Sequence, residues 1–319
     1  MTFTADINRF RFGEDYTAFD GKHVLVTGSG RDLGLGQAFA LAAGLNGAAC
    51  VGVHFHQSYR DGFDLVDALR DVGVKAFALQ ADVTIPSDLW ASRSFVVEQM
   101  GGRSPDIVIC NSGLTEQGYR FGRALPEQEG ESRGERRARV RRAFIENLEE
   151  SRAVLNTKIA GFVAMTHLWA AEAVYHGTPV QLVYISSKQA LDPGVAVPGY
   201  VIANWAVLQL PKVLRVNLGR AADMASAYCL MLPFVRTSMT DEYSENEKVF
   251  GRWQPRMLET FEAAAAVTQL LSQSPESLDQ GLFELNVSGT PERAEVAWTR
   301  RTIEVRDEET HGNLVFTKD

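Results

Sequence analysis

The chain has 319 residues, enough for one large α/β domain with a sizeable buried core. Hydrophobic residues at 45% and charged residues at 23% are ordinary for globular proteins, which excludes a disordered or collagen-like chain. With 32 Lys and Arg against 40 Asp and Glu the net charge is −8, so the overall field repels nucleic acid and anionic membrane, and neither is expected as a partner.

Residues 1–20 read as an N-terminal arm whose Phe3, Phe10, Phe12, Tyr16 and Phe19 pack on a neighbouring subunit or cover their own core. They lack the apolar stretch of a secretory signal, and no run in the chain approaches the roughly 20 apolar residues that span a bilayer, so a cytoplasmic location is expected. Short apolar runs then alternate with helical patterns. Strands are predicted over 23–27, 49–54, 76–80, 106–111, 180–185, 225–232 and 282–285, and helices over 37–43, 63–71, 89–100, 155–174 and 204–218. This rhythm predicts repeated βαβ units: a single α/β domain over 21–290, with a Rossmann-like, doubly wound parallel sheet flanked by helices, followed by a C-terminal tail over 291–319. Cys50, Cys110 and Cys229 each sit inside an apolar run, as buried thiols do, and no spacing suggests a metal site.

One connection breaks the rhythm. The insertion over 116–152 carries the run ESRGERRARVRR, with Glu116, Glu127, Glu129, Glu146, Glu149 and Glu150 around its arginines. A solvated helix face with internal ion pairs is the expectation, and a basic docking patch the alternative.

The first strand is followed by TGSGRDLGLGQAFA, in which Thr27, Gly28, Ser29, Gly30, Arg31, Leu33 and Gly34 lead into an Ala-rich helix. Glycines after a strand and before a helix let the backbone approach a pyrophosphate, whose charge then sits at the helix N-terminus. An NAD-selective site places Asp or Glu at the end of the second strand. Here His54, Phe55, His56, Gln57 and Ser58 stand there, with Arg31 and Arg60 nearby, so NADPH is the expected cofactor and His54, His56 and Ser58 are candidate contacts.

Several motifs in order resemble the short-chain dehydrogenase/reductase superfamily over about 21–287: TGSGRDLGLG, the ADV containing Asp82 and Val83, Asn111-Ser112-Gly113, YISS ending at Ser187, Tyr200, and LPFVRTSM with Pro233, Val235 and Thr237. Asp32 and Leu33 are an insertion in the first motif. The resemblance implies that these segments line a dinucleotide, that the chain reduces a small-molecule ketone, and that it assembles as a homodimer or homotetramer. It also implies Ser187 and Tyr200, 13 positions apart, as catalytic residues. The lysine expected four residues after Tyr200 is Asn204. Aligned on Gly161, Lys158 falls where the family has its helix asparagine, an exchange resembling the ketoreductase domains of polyketide synthases; the competing alignment keeps Asn156 there and leaves no catalytic lysine. Lys158, with Tyr200, would also contact the cofactor. The string Tyr184 to Lys188 satisfies YxxxK, but Tyr184 falls within a strand and reads as a decoy.

An NADPH-dependent ketoreductase acting on a small or polyketide-like substrate is therefore expected. The alternatives are an epimerase or dehydratase on the same scaffold and a catalytically degenerate dinucleotide sensor. Residues 241–255, with Phe250 and Trp253, are expected to form a mobile lid over the substrate. The insertion is expected to roof the pocket; docking of an acyl carrier is the lesser alternative.

Overall fold

Alternating side chains along each central strand divide the apolar residues between two faces, and this sets the architecture of the computed structural model, which describes residues 5–117, 120–122, 125–194, 196–241 and 245–304. Val24, Val26, Val51, Val53, Ile107 and Ile109 point into one buried layer. Leu25, Cys50, Val108, Cys110, Leu182 and Tyr184 point into the other. A sheet apolar on both faces must be covered on both, as parallel sheets are.

In chain order the main elements are β1 (His23–Val26), α1 (Leu35–Leu45), β2 (Cys50–Phe55), α2 (Tyr59–Asp71), β3 (Ala76–Gln80), α3 (Pro86–Gln99), β4 (Ile107–Cys110), α4 (Arg133–Leu155), α5 (Gly161–His176), β5 (Val180–Ser187), α6 (Pro198–Val207), α7 (Leu210–Leu218) and β6 (Ala225–Leu232). The short β7 (Val235–Arg236), α8 (Glu247–Phe250) and β8 (Leu258–Glu259) follow, then α9 (Thr260–Leu271), α10 (Pro275–Leu278), β9 (Leu282–Gly289) and β10 (Ala294–Arg301). The eight-stranded sheet has the order β10-β9-β6-β5-β4-β1-β2-β3, parallel except for β10. The order reverses between β1 and β4, and open α/β sheets bind ligands at the carboxyl ends of strands flanking such a switch.

All seven expected strands are present. The helix expected over 204–218 is two helices, α6 and α7, the second with Pro211 in its first turn, where a missing N–H costs nothing. Besides the short β7, α8, β8 and α10, two longer elements had no counterpart among the expected ones. The Ala-rich α9 lies against α1, and Ala294–Arg301, expected as tail, is the antiparallel edge strand. Trp298 of that strand donates to the Ala266 carbonyl at 2.9 Å. The N-terminal arm covers its own core: Phe10 and Phe19 are buried, and Asn46 ties the arm down by donating to the Phe10 carbonyl and accepting from the Phe12 N–H. Burying a phenylalanine contributes about 2–3 kcal/mol, so the arm is an integral layer.

The insertion is mainly helical. Ser132 and Glu135 form a reciprocal capping box at the start of α4. Arg136 pairs with Glu127, and Arg139 pairs with Glu131 at 2.7 Å, the internal ion pairing the sequence suggested. Glu116 departs from that expectation, being buried at 2% exposure.

Candidate active site

The glycine loop leaves β1 through backbone that tolerates little side chain. A Cβ on Gly28 would come within 2.8 Å of the Ser112 backbone, one on Gly30 within 2.4 Å of Phe55, and one on Gly36 within 2.3 Å of the Gly28 carbonyl. Gly28 also has φ +65°, which glycine alone adopts readily. The inserted Asp32 and Leu33 are held by buried Gln37, which donates to Asp32 and accepts from the Leu33 N–H, both at 3.0 Å. The N-terminus of α1 carries no side-chain cap. Its free N–H groups, behind a glycine loop, form the cradle a pyrophosphate needs.

Asn111 closes the loop from β4: its amide donates to the carbonyls of Thr27 and Gly28, both at 3.2 Å, and the Thr27 hydroxyl accepts the N–H groups of Asn111 and Ser112. Of the strand-end candidates, only His56 is exposed, 3.7 Å from Asp82. Asp82 is lowered from the ordinary carboxylate value, because hydrogen bonds from Thr84 and the nearby His56 outweigh its burial. His54 is buried, and desolvation lowers its pKa to about 4, so it is neutral at physiological pH. Its Nδ1 accepts the Gly28 N–H at 3.3 Å, which makes it a strut beneath the loop, and its Nε2 has no hydrogen-bond partner among the described residues.

Ser187 ends β5, and Tyr200 lies in the first turn of α6. Burial raises the Tyr200 phenol, while hydrogen bonding with Ser187 and Asn204 draws it back, leaving it above its ordinary value. Lys158, the relocated lysine of the sequence analysis, is not among the groups that shift this phenol. The Asn204 amide nitrogen donates to the Tyr200 carbonyl at 2.9 Å, and its buried oxygen has no partner among the described residues. Such an orphan is costly unless something completes it. This oxygen and the α1 cradle fit a bound dinucleotide with its associated polar groups.

Lys158 is 6% exposed, whereas Asn156 is exposed. The chain from α4 to α5 passes through a π-helical turn, Asn156–Ala160, which changes the helical register at this position. The turn is followed by Gly161, where a Cβ would lie 2.7 Å from Val83. The Lys158 ammonium stands 4.6 Å from the Phe162 ring centre, beside Gly113, and forms no ion pair among the described residues. Desolvation lowers it to about 8, opposed by the Cys229 and Cys110 thiols.

Tyr184 is fully buried and shares a 2.7 Å hydrogen bond with Thr166. Lys188 is tied to Glu284 and Asn286, each at 3.0 Å. Neither member of that string faces Ser187. Pro233 follows β6, Val235 is buried in β7, and the Thr237 hydroxyl accepts the Met239 N–H at 3.2 Å. Within the expected lid, residues 242–244 lie outside the described residues; Phe250 is buried, and Trp253 donates to Asp192 at 2.5 Å, with Arg252 also paired to Asp192. Lys188, Asp192, Arg252, Trp253, Glu284 and Arg301 are among the residues lining a cavity of about 400 Å³.

A doubly wound sheet with a glycine cradle at its switch point and a Ser-Tyr pair at its carboxyl edge defines a dinucleotide-dependent oxidoreductase. Residues 22–248 match the family model for short chain dehydrogenase, and the chain belongs to that family as an NAD(P)H-dependent oxidoreductase. A probable tetrahydroxynaphthalene reductase of Zymoseptoria tritici is 30% identical over 268 residues, 82% of this chain and 92% of that protein. A tetrahydroxynaphthalene reductase of Pestalotiopsis fici is 36% identical over 101 residues, 32% of this chain and 35% of that protein. Among solved structures, a gluconate 5-dehydrogenase of Burkholderia cenocepacia, in complex with NADP and tartrate, superposes with a TM-score of 0.66 at 18% identity, covering 88% of this chain and 97% of that one. That likeness shows the fold.

Proposed function

We propose that the protein is an NADPH-dependent ketoreductase that reduces a carbonyl of a polyketide-like small molecule to an alcohol. The observation that carries this reading is the Tyr200 phenol at the carboxyl end of β5, raised by burial and drawn back by the neighbouring Ser187 and Asn204 side chains. The reductase names of the relatives support the substrate class, and the absence of any acidic residue over 54–58 supports the phosphorylated cofactor.

When bound, the cofactor supplies the hydride that reaches the carbonyl carbon. Ser187 donates a hydrogen bond to the carbonyl oxygen, and Tyr200 delivers its phenolic proton there as general acid. The Asn204 amide oxygen accepts from the group that returns a proton to Tyr200. Lys158, beside Gly113, holds the ribose hydroxyls and supplies the cation that steadies the tyrosinate. Arg31, His56 and Ser58 donate to the 2′-phosphate, and the N-terminus of α1 holds the pyrophosphate.

A homodimer or homotetramer belongs to the same proposal. Val140, Phe144 and Leu148 recur every four residues along α4 with their side chains exposed, a stripe a second copy would cover. No helix among the described residues is long and apolar enough to cross a membrane. The test is NADPH consumption with a panel of phenolic cyclic ketones and β-ketoacyl thioesters. Turnover on a ketone supports the reading. Tight NADPH binding with no turnover on any of them favours the sensor alternative, which the raised Tyr200 phenol also favours.

A further inference from the structure

The helix that carries Tyr200 begins without a cap of its own. Its N-cap residue is Val197, whose side chain accepts nothing, and Pro198 follows without an N–H. Val197 also sits at φ +57°, ψ +55°, a left-handed conformation that β-branched residues avoid. The N–H groups an N-cap side chain ordinarily satisfies belong to the second and third helical residues, here Gly199 and Tyr200. Both donate to one carboxylate from a remote segment. Glu116 Oε1 accepts from Gly199 at 2.7 Å, and Glu116 Oε2 accepts from Tyr200 at 3.0 Å. A third bond, from the Ser151 hydroxyl of α4, reaches Oε1 at 2.8 Å.

We propose that Glu116 is a positioning residue for the reduction: a surrogate N-cap, supplied by the strand β4 loop that also carries Asn111 to Gly113, which fixes the backbone of Tyr200 and so the approach of its phenol to Ser187. The inference rests on the reductase reading above. A negative charge at a helix N-terminus is favourable, and here it replaces the local cap that the sequence omits. The space is made for it at Gly199, where a Cβ would come within 2.5 Å of Oε1. Because Glu116 lies three residues beyond Gly113, the device ties the cofactor-side loop, α4 and the tyrosine helix together through one side chain. Strain at Val197 gives the clamp something to hold: released, α6 can relax its first turn and carry Tyr200 away.

The test is Glu116→Gln, which keeps the shape but turns one acceptor into a donor facing an N–H. Amide hydrogen exchange is read at Gly199 and Tyr200, together with kcat and KM for a reduced ketone and the Kd for NADPH. Faster exchange confined to the start of α6 is expected. Turnover per folded enzyme should fall about tenfold to a hundredfold, since small misplacements of a reacting group cost that much. KM and Kd should stay within about threefold, the pattern of a lost contribution to the chemical step. Gly199→Ala, which displaces the carboxylate without removing it, should give the same readings and serves where Glu116→Gln does not fold. Unchanged exchange overturns the cap, and faster exchange with turnover within about twofold of the parent reduces Glu116 to a structural role and overturns the proposal. A parent protein that reduces no ketone sinks the reductase reading instead, and the exchange measurement still decides the cap.

Discussion

Two tyrosines and two lysines compete for one role, and their surroundings separate them. Tyr184 and Lys188 have the familiar spacing, yet Tyr184 is sealed between sheet and helices against Thr166, and Lys188 is neutralised by Glu284. Tyr200 and Lys158 lack the spacing, yet Tyr200 meets Ser187 and Lys158 is a buried cation without a counter-ion among the described residues. A protein spends little stability on a group it has fully partnered and a good deal on one it has not. Groups held in costly environments are where chemistry is expected.

The largest effect that could break this contrast is loss of the phenol. Tyr200→Phe should lower ketone reduction at least about a thousandfold with NADPH affinity retained, because it removes the proton donor. Tyr184→Phe should leave turnover within about threefold and cost about 1 kcal/mol of stability for the lost bond to Thr166. Steady-state kinetics with thermal unfolding separates the two, and equal losses of turnover would erase the distinction.

The lysines come next. Lys158→Met should lower turnover about a hundredfold while stabilising the fold at neutral pH. The sign follows from burial: the folded pKa is lowered from 10.5 to about 8, so the unfolded chain binds the extra proton between those values. Below about 8 the penalty is fully present, on the order of 3 kcal/mol, and it fades as pH rises toward 10.5. The melting advantage of the variant over the parent should therefore be a few degrees at pH 7 and shrink toward pH 10. Lys188→Met should do the reverse, losing stability because it removes one of the two cations on Glu284 while leaving turnover nearly intact. A destabilised Lys158→Met would mean that the ammonium has a partner in solution.

Legibility followed the same divide. The strands, the glycine cradle and the Ser187 to Tyr200 spacing were readable because local pattern and global fold agree there. The inward turn of Lys158 rested on the Gly161 register, and the π-turn that alters it at 156–160 has no sequence signature. Glu116 was read as a solvated partner of the arginines because its hydrogen-bond partners lie 35 to 84 positions away, beyond any local pattern. A missing cap residue before Pro198 was the one available hint. Strand β10 alternates polar and apolar residues weakly, since an edge strand faces water on one side.

Cofactor choice should respond at one of the three positions where the second strand ends. His54 and Phe55 are buried, so a carboxylate there would disturb the sheet before it met a ligand, whereas His56 is exposed. His56→Asp should weaken NADPH binding about tenfold and spare NADH, because the new charge repels a 2′-phosphate. Titration with both dinucleotides checks it, and equal effects on the two would remove His56 from the phosphate site.

The smallest expected effect lies on α4, where the charges are numerous and solvated. Arg136 and Arg139 are engaged with Glu127 and Glu131, while Arg137, Arg141 and Arg142 form no ion pair among the described residues. Exposed charges contribute little even when paired, about 0–1 kcal/mol, so replacing Arg137, Arg141 and Arg142 together by Glu should leave the melting temperature and the KM for a free ketone nearly unchanged. A docking surface behaves differently, because reversing its charges slows encounter in a salt-dependent way. The informative measurement is thus the same substrate offered free and attached to an acyl carrier at two ionic strengths. An increase in KM confined to the attached form and abolished by salt would assign α4 to a carrier; equal, salt-insensitive values leave its arginines as the solvated face of a helix that runs on into the π-turn carrying Lys158.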